Sequence, residues 1–198
     1  MKLLLERWRK YLNEQDEHAL LNEATDLVKN GENIIMFSDY AKKHIESGHK
    51  KPGLGSIFAD FDLSLVSKTL GTIPLEGNGG VYSVEVPGVG YDLVLPMDEA
   101  LQLPDAQKTV VTKEERQGPV EVIGIKTSKP LSGFLQNKLS VVVRQTKNMQ
   151  YVPDDVKEQV ADAVAQGRVY SVLSAWPGRG DVPPSSKWGE DWAVIIPS

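Results

Sequence analysis

The chain has no cysteine among its 198 residues. That excludes a disulfide framework, a thiolate zinc or iron–sulfur site and a cysteine nucleophile. Histidine is almost as scarce, with only His18, His44 and His49 to supply imidazole. No apolar run approaches the roughly 18 residues of a membrane helix. The Leu3-Leu4-Leu5 run is too short for a secretory h-region and charge follows it at once. Neither a membrane partner nor secretion by a signal peptide is expected. The net charge of −5 gives no whole-protein attraction to nucleic acid, so only a local basic patch can supply one. What is present is a globular balance, 40% hydrophobic against 25% charged, which can bury a core without a covalent staple.

Residues 1–23 form a distinct arm. Leu4, Leu5, Trp8, Tyr11 and Leu12 recur at spacings of three and four, and Lys2, Glu6, Arg9 and Lys10 fill the other face. That is an amphipathic helix. Residues 24–198 read as a single α+β domain. Helix is expected to continue over Ala24–Lys29 and to stop at Asn30-Gly31. Asn33–Phe37 is a short apolar run, and Ser38-Asp39 caps a helix over Tyr40–Ser47 that Gly48 ends. A loop follows over Lys50–Phe58, then a helix over Asp60–Leu70.

After Pro74 the pattern changes to Val- and Ile-rich strands at Val81–Val86, Tyr91–Leu95, Val120–Lys126, Leu139–Arg144, Val169–Ala175 and Trp192–Ile196. Pro87–Gly90 reads as a turn, and Asp98–Leu101 and Asp105–Arg116 as a solvated excursion. One helix, Asp154–Ala165, presents Val156, Val160 and Val164 on one face. Helices first and strands later predict an α+β fold, with N-terminal helices packed on a mainly antiparallel C-terminal sheet.

Three stretches can carry chemistry. His44 and His49 are five apart around Gly48, off the i, i+4 spacing of a helical zinc pair, so no metal is expected. They lie among Lys42, Lys43, Lys50 and Lys51. That basic setting favours neutral imidazole, the form a general base needs, and the lysines can hold a phosphate. Gly53-Leu54-Gly55-Ser56 fits neither nucleotide fingerprint, yet its backbone amides can meet an anion beside His49. In Tyr170–Gly178, alternation places Tyr170, Val172 and Ser174 on one face of a strand that ends in Trp176-Pro177-Gly178. No GxSxG elbow is present to suggest a serine hydrolase. Arg179-Gly180-Asp181 reads as a turn.

Two resemblances give these features an expected use. The arm resembles the short N-terminal segments that direct tailed-phage virion proteins into the prohead. A prohead protease cuts such segments after glutamate in a Leu/Ile-x-Glu context, and Leu12-Asn13-Glu14 and Leu21-Asn22-Glu23 match it. The implied cleavage sites are Glu14 and Glu23, and the implied partner of residues 1–23 is a phage capsid or scaffold. Residues 33–198, through GHKKPGLGSIF, a strand lysine and YSVLSAWPG, resemble EndoU-type members of the barnase/EndoU/colicin/RelE-like nuclease superfamily.

The nuclease resemblance implies metal-independent, cofactor-free RNA cleavage, in which the 2′-hydroxyl attacks the adjacent phosphate. It implies His44 and His49 as general base and acid, and Lys126 (with Lys113 competing) as the phosphorane's cation. Ser174 would contact the phosphate, Tyr170 or Trp176 would stack on RNA, and Lys50 and Lys51 would bind it. The substrate would be tRNA or mRNA, met in the host cytoplasm after delivery from a virion. Two rivals stand beside it. One is a non-enzymatic virion or internal structural protein. The other is an ADP-ribosyltransferase using Arg144, Ser171 and Glu190.

Overall fold

The computed structural model describes residues 25–49, 55–60, 62–115 and 118–198. The arm over 1–23, with Glu14 and Glu23, lies outside the described residues, as do Lys50 and Lys51. The fold is mixed α/β, with ten strands and a few helices among the described residues. It divides into two compact units. Among the described residues, one gathers residues 25–44, Leu63–Gly80 and Val142–Ser174; the other gathers Ile45–Asp62, Val81–Val141 and Ala175–Ser198.

In the first unit, β1 (Asp26–Asn30) and β2 (Asn33–Phe37) form an antiparallel hairpin in the register Asp26↔Phe37 to Asn30↔Asn33. This corrects the helix expected over Ala24–Lys29. Asn30-Gly31 is a hairpin turn, with Gly31 at φ +59° as the first of two loop residues, the position a two-residue hairpin gives to glycine. β2 also pairs in parallel with β9 (Val169–Pro177), Ile34 opposite Val169. The strand order of this unit is β1-β2-β9-β8, with β8 spanning Leu135–Gln145.

Helix α1 (Asp39–His49) runs two residues past its expected end, so Gly48 does not stop it and both histidines are helical. Helix α2 (Leu63–Leu70) buries Val66 and Leu70. Asn30 Nδ2 donates to the carbonyls of Leu70 and Ile73, each at 2.8 Å, and ties the hairpin to the end of α2. Val160 and Val164 of helix α4 (Lys157–Ala165), with Val152 and Val156 before it, pack on Met36 and Val169. The expected face of that helix is therefore the buried one. Its first turn, Asp154–Val156, is 3₁₀.

In the second unit the order β5-β10-β7-β6 makes one sheet. Its strands are β5 (Val94–Pro96), β6 (Gln107–Glu115), β7 (Gly118–Thr127) and β10 (Trp192–Pro197). β10 lies parallel to β7 and antiparallel to β5. The expected solvated excursion is thus a turn of helix, α3 (Met97–Ala100), followed by an edge strand. β8, β4 (Gly79–Tyr91) and β3 (Ile57–Phe58) are neighbours in that order. β4 is continuous through Pro87–Gly90, where a turn is expected. Proline is tolerated there because it need not donate, and the Gly88 amide bonds the Asn137 side chain at 2.8 Å. Ile57, Leu93, Ile125, Phe134 and Ile195 form the core. Each such buried side chain contributes about 1.5–3 kcal/mol by leaving water.

Candidate functional site

The richest polar cluster of the second unit starts at the last residue of α1. His49 Nδ1 stands 2.7 Å from the carbonyl oxygen of Ser56. A carbonyl only accepts, so Nδ1 carries the proton and the neutral ring has its lone pair on Nε2. The ring meets Phe58 edge-on, with centroids 6.3 Å apart. Phe58 belongs to β3, which pairs with β4 through Ile57↔Tyr91 and Phe58↔Gly90. Ser56 is therefore the last residue before paired backbone.

Ser56 is buried, and its hydroxyl donates to Asp92 Oδ1 at 2.8 Å. Asp92 is 1% exposed. Its Oδ1 also accepts the Val94 amide at 3.2 Å, and Oδ2 accepts the Arg179 amide at 2.9 Å. Burial pushes the Asp92 carboxyl above its ordinary range, and the bonds from Arg179, Ser56 and Val94 pull it back only in part. Gly178 packs on this carboxylate. A side-chain carbon there would stand 2.6 Å from Asp92 Cβ and closer still to the carboxylate. The Gly178 amide donates to the Lys138 carbonyl and its carbonyl accepts from Ser140 Oγ, each at 2.7 Å.

The turn that follows is closed on itself. Arg179 holds Asp181 through two bonds of 3.0 Å and Glu99 through a third. Its guanidinium carbon lies 5.6 Å from the Trp192 ring centre. The bonds it donates to Asp181, ahead of the desolvation that opposes them, raise the guanidinium above its ordinary value. Trp176 Nε1 donates to the Arg179 carbonyl at 2.7 Å. The turn expected at Arg179-Gly180-Asp181 is present, with its charged groups paired inside the protein.

Of the two lysines that the sequence offers, Lys113 is the one beside Gly55. Its Nζ lies 4.0 Å from where a side-chain carbon on Gly55 would stand. It donates to Ser185 Oγ at 3.4 Å and sits 4.8 Å from the ring centre of buried Trp188. Lys126 is exposed on β7 opposite Gln107, whereas Lys113 lies opposite Val120. Six residues of β6 separate those positions, about 20 Å along the strand.

His44, Ser174 and Tyr170 belong to the first unit. The His44 ring stacks on Tyr40 one turn earlier, with centroids 6.5 Å apart. Ser174 is half-buried in β9. Tyr170 is 5% exposed and its hydroxyl donates to the Gly77 carbonyl at 3.0 Å, so its ring is a core element. An open groove of about 500 Å³ in the same unit is lined by Asp26, Lys42, Leu63, Ser64, Ser67 and Lys68. There Asp26 and Asp39 each hold Lys42 Nζ at 3.0 Å. Among the described residues, no group of three or more His, Asp or Glu side chains is placed to hold a metal ion.

Sequence reasoning passed over Asp92, the hub of the cluster. The available signal was a single carboxylate inside the apolar run Tyr91–Leu95, where only a paired charge is tolerated.

No family model and no curated protein matches the chain. A crystal structure described as a conserved hypothetical protein from Toxoplasma gondii ME49 is similar over 71% of this chain and 89% of that one, at 8% identity and a TM-score of 0.34.

Proposed function

We propose that this protein is a metal-independent, RNA-cleaving effector of phage origin, with His49 as an acid–base group and Lys113 as the cation that meets the phosphate. The observation that carries the reading is the His49–Ser56 contact. It puts a proton on Nδ1, so the neutral form of the ring has its lone pair on Nε2 and can take a proton there. Lys113 beside Gly55, next in the chain to Ser56, supports the second role. A fixed cation acts most strongly where negative charge develops.

In the proposed reaction the RNA 2′-hydroxyl loses its proton to a base and its oxygen bonds to the adjacent phosphorus. The bond from phosphorus to the 5′-oxygen breaks, and an acid protonates that oxygen. The products are a 2′,3′-cyclic phosphate and a new 5′-hydroxyl. His49 takes one of the two proton roles. On this reading N-terminal helices pack on a mainly antiparallel sheet, as the order of helices before strands predicts. The arm over 1–23 brings the protein into a capsid, and the substrate is host tRNA or mRNA.

The test is cleavage of tRNA and mRNA by the purified full chain in EDTA. Wild type should yield cyclic-phosphate ends. His49→Ala should lower the rate about 10²–10⁴-fold, the usual worth of a general acid or base. Lys113→Ala should cost about 10²-fold or more, and Lys126→Ala should change little. A folded wild type that cuts none of these RNAs would overturn the reading and leave a structural role in the virion.

A further inference from the structure

The bonds around Asp92 divide the work of one buried carboxylate between two loops. Oδ1 faces Ser56 and Val94, and Oδ2 faces Arg179. All three partners are donors. A carboxylate accepts at both oxygens, whereas a carboxamide would turn a donor toward one of them. Burying a charge is costly, and here three donors are turned toward it to offset that cost. Its position therefore calls for a role beyond packing.

Ser56 identifies that role. On one side it adjoins Gly55, whose φ is +139°; on the other, Ile57 enters the β3–β4 pairing. The Ser56 side chain is held by Asp92, and its carbonyl is the group that meets His49 Nδ1. We infer that Asp92 is a positioning residue for His49: by clamping Ser56 it aims the Ser56 carbonyl at Nδ1, fixes the Nδ1–H tautomer and keeps the ring's lone pair on Nε2. Through Oδ2 the same carboxylate sets the turn at Gly178-Arg179. The inference extends the reading of His49 as an acid–base group, but the tautomer is read without RNA, so the two can fail separately.

Long-range proton–nitrogen NMR of the ¹⁵N-labelled full chain tests it. With three histidines in the sequence, single His→Gln variants assign the rings. At about pH 8, above the ordinary histidine range, His49 of wild type should show the Nδ1–H pattern. Ser56→Ala and Asp92→Ala should each shift the tautomer ratio toward Nε2–H about 2- to 10-fold, the effect of one ordinary hydrogen bond. Asp92→Asn should retain the wild-type tautomer, because Asn Oδ1 still accepts from Ser56, while the Arg179 amide signal moves.

Ser56→Ala keeps the carboxylate and the carbonyl, so it answers the question if Asp92→Ala does not fold. An Nε2–H ring in wild type overturns the inference. So does an unchanged Nδ1–H ring in whichever of the two alanine variants folds. Loss of RNA cleavage with an unchanged tautomer would assign Asp92 to the turn alone and also overturn it. A fixed Nδ1–H tautomer without any RNA cleavage would leave the inference standing and sink the nuclease reading.

Discussion

Replacing Gly178 by alanine tests how tightly the cluster is built. Gly178 has φ +107°, where an L side chain is strained, and the new carbon would fall within 2.6 Å of Asp92 Cβ. Asp92 cannot simply retreat, since Ser56, Val94 and Arg179 hold its two oxygens. Backbone strain of this kind costs about 1–3 kcal/mol, and forcing an extra carbon into a packed site costs about 1–3 kcal/mol more. The expected loss is about 2–6 kcal/mol, a large part of the 5–15 kcal/mol typical of a domain.

Gly88 supplies the control. Its φ is +65°, but nothing lies within 4 Å of the added carbon. Alanine there should lose only the left-handed backbone penalty, about 1–2 kcal/mol. Urea unfolding followed by tryptophan fluorescence gives both values from the midpoint at unchanged slope. A Gly178→Ala loss no larger than that of Gly88→Ala would falsify the claim that Asp92 is immobile. Tautomer NMR on the same variant should also show His49 released, because the displaced carboxylate lets go of Ser56.

Three further outcomes follow from the same contacts. Because folding raises the Asp92 pKa, the native state keeps a proton that the unfolded chain has lost. Its contribution to stability should therefore decline as pH rises from the ordinary value of 3.8 through the raised one, then level off. Urea midpoints of wild type and Asp92→Asn across that window should converge or cross, and a wild-type advantage that grows with pH contradicts the assignment. Asp181 has the opposite sign: Arg179 lowers its pKa, so its small contribution is present above 3.8 and is lost as pH falls through the lowered value. Its side chain is 62% exposed, so Asp181→Ala should cost no more than about 1 kcal/mol at neutral pH by chemical denaturation. Ile195 is 1% exposed in β10, so Ile195→Ala should cost about 2–5 kcal/mol, while Val110→Ala at 59% exposure should stay within about 0.5 kcal/mol in the same assay.

How much of this was legible in the sequence depended on whether burial followed a simple period. α1, α4 and the strands β7, β8, β9 and β10 are legible because their apolar residues recur at helical or sheet spacing. β1 was not, because a short half-buried strand beside Asn30-Gly31 carries the same residue types as a helix ending at glycine. Only the pairing with β2 decides between them. β6 reads as a solvated excursion because an edge strand keeps Lys108, Thr109, Thr112 and Lys113 in its sequence, and edges are where charge is tolerated. Gly88 punctuates β4 without turning it, since the Asn137 side chain takes up its amide.

The groups proposed to react can be named from the sequence, whereas the contacts that support them cannot. His49 and Lys113 announce themselves as residue types, and both were weighed from the sequence. What ties them to a common region is a set of contacts between segments distant in the chain: Ser56 to Asp92, Asp92 to Arg179, Lys113 to Ser185. No spacing rule covers such pairs, because each joins segments far apart in the chain. The preference for Lys126 over Lys113 has the same origin. Both sit on strands, and the β6–β7 register alone, with Gln107 opposite Lys126 and Lys113 opposite Val120, puts one beside Gly55 and the other about 20 Å away along the strand. A lone carboxylate in an apolar run is the one local sign of such a site. It cannot be left unpaired in the interior, so its partners must come from elsewhere in the chain, and here those partners include the residue that holds His49.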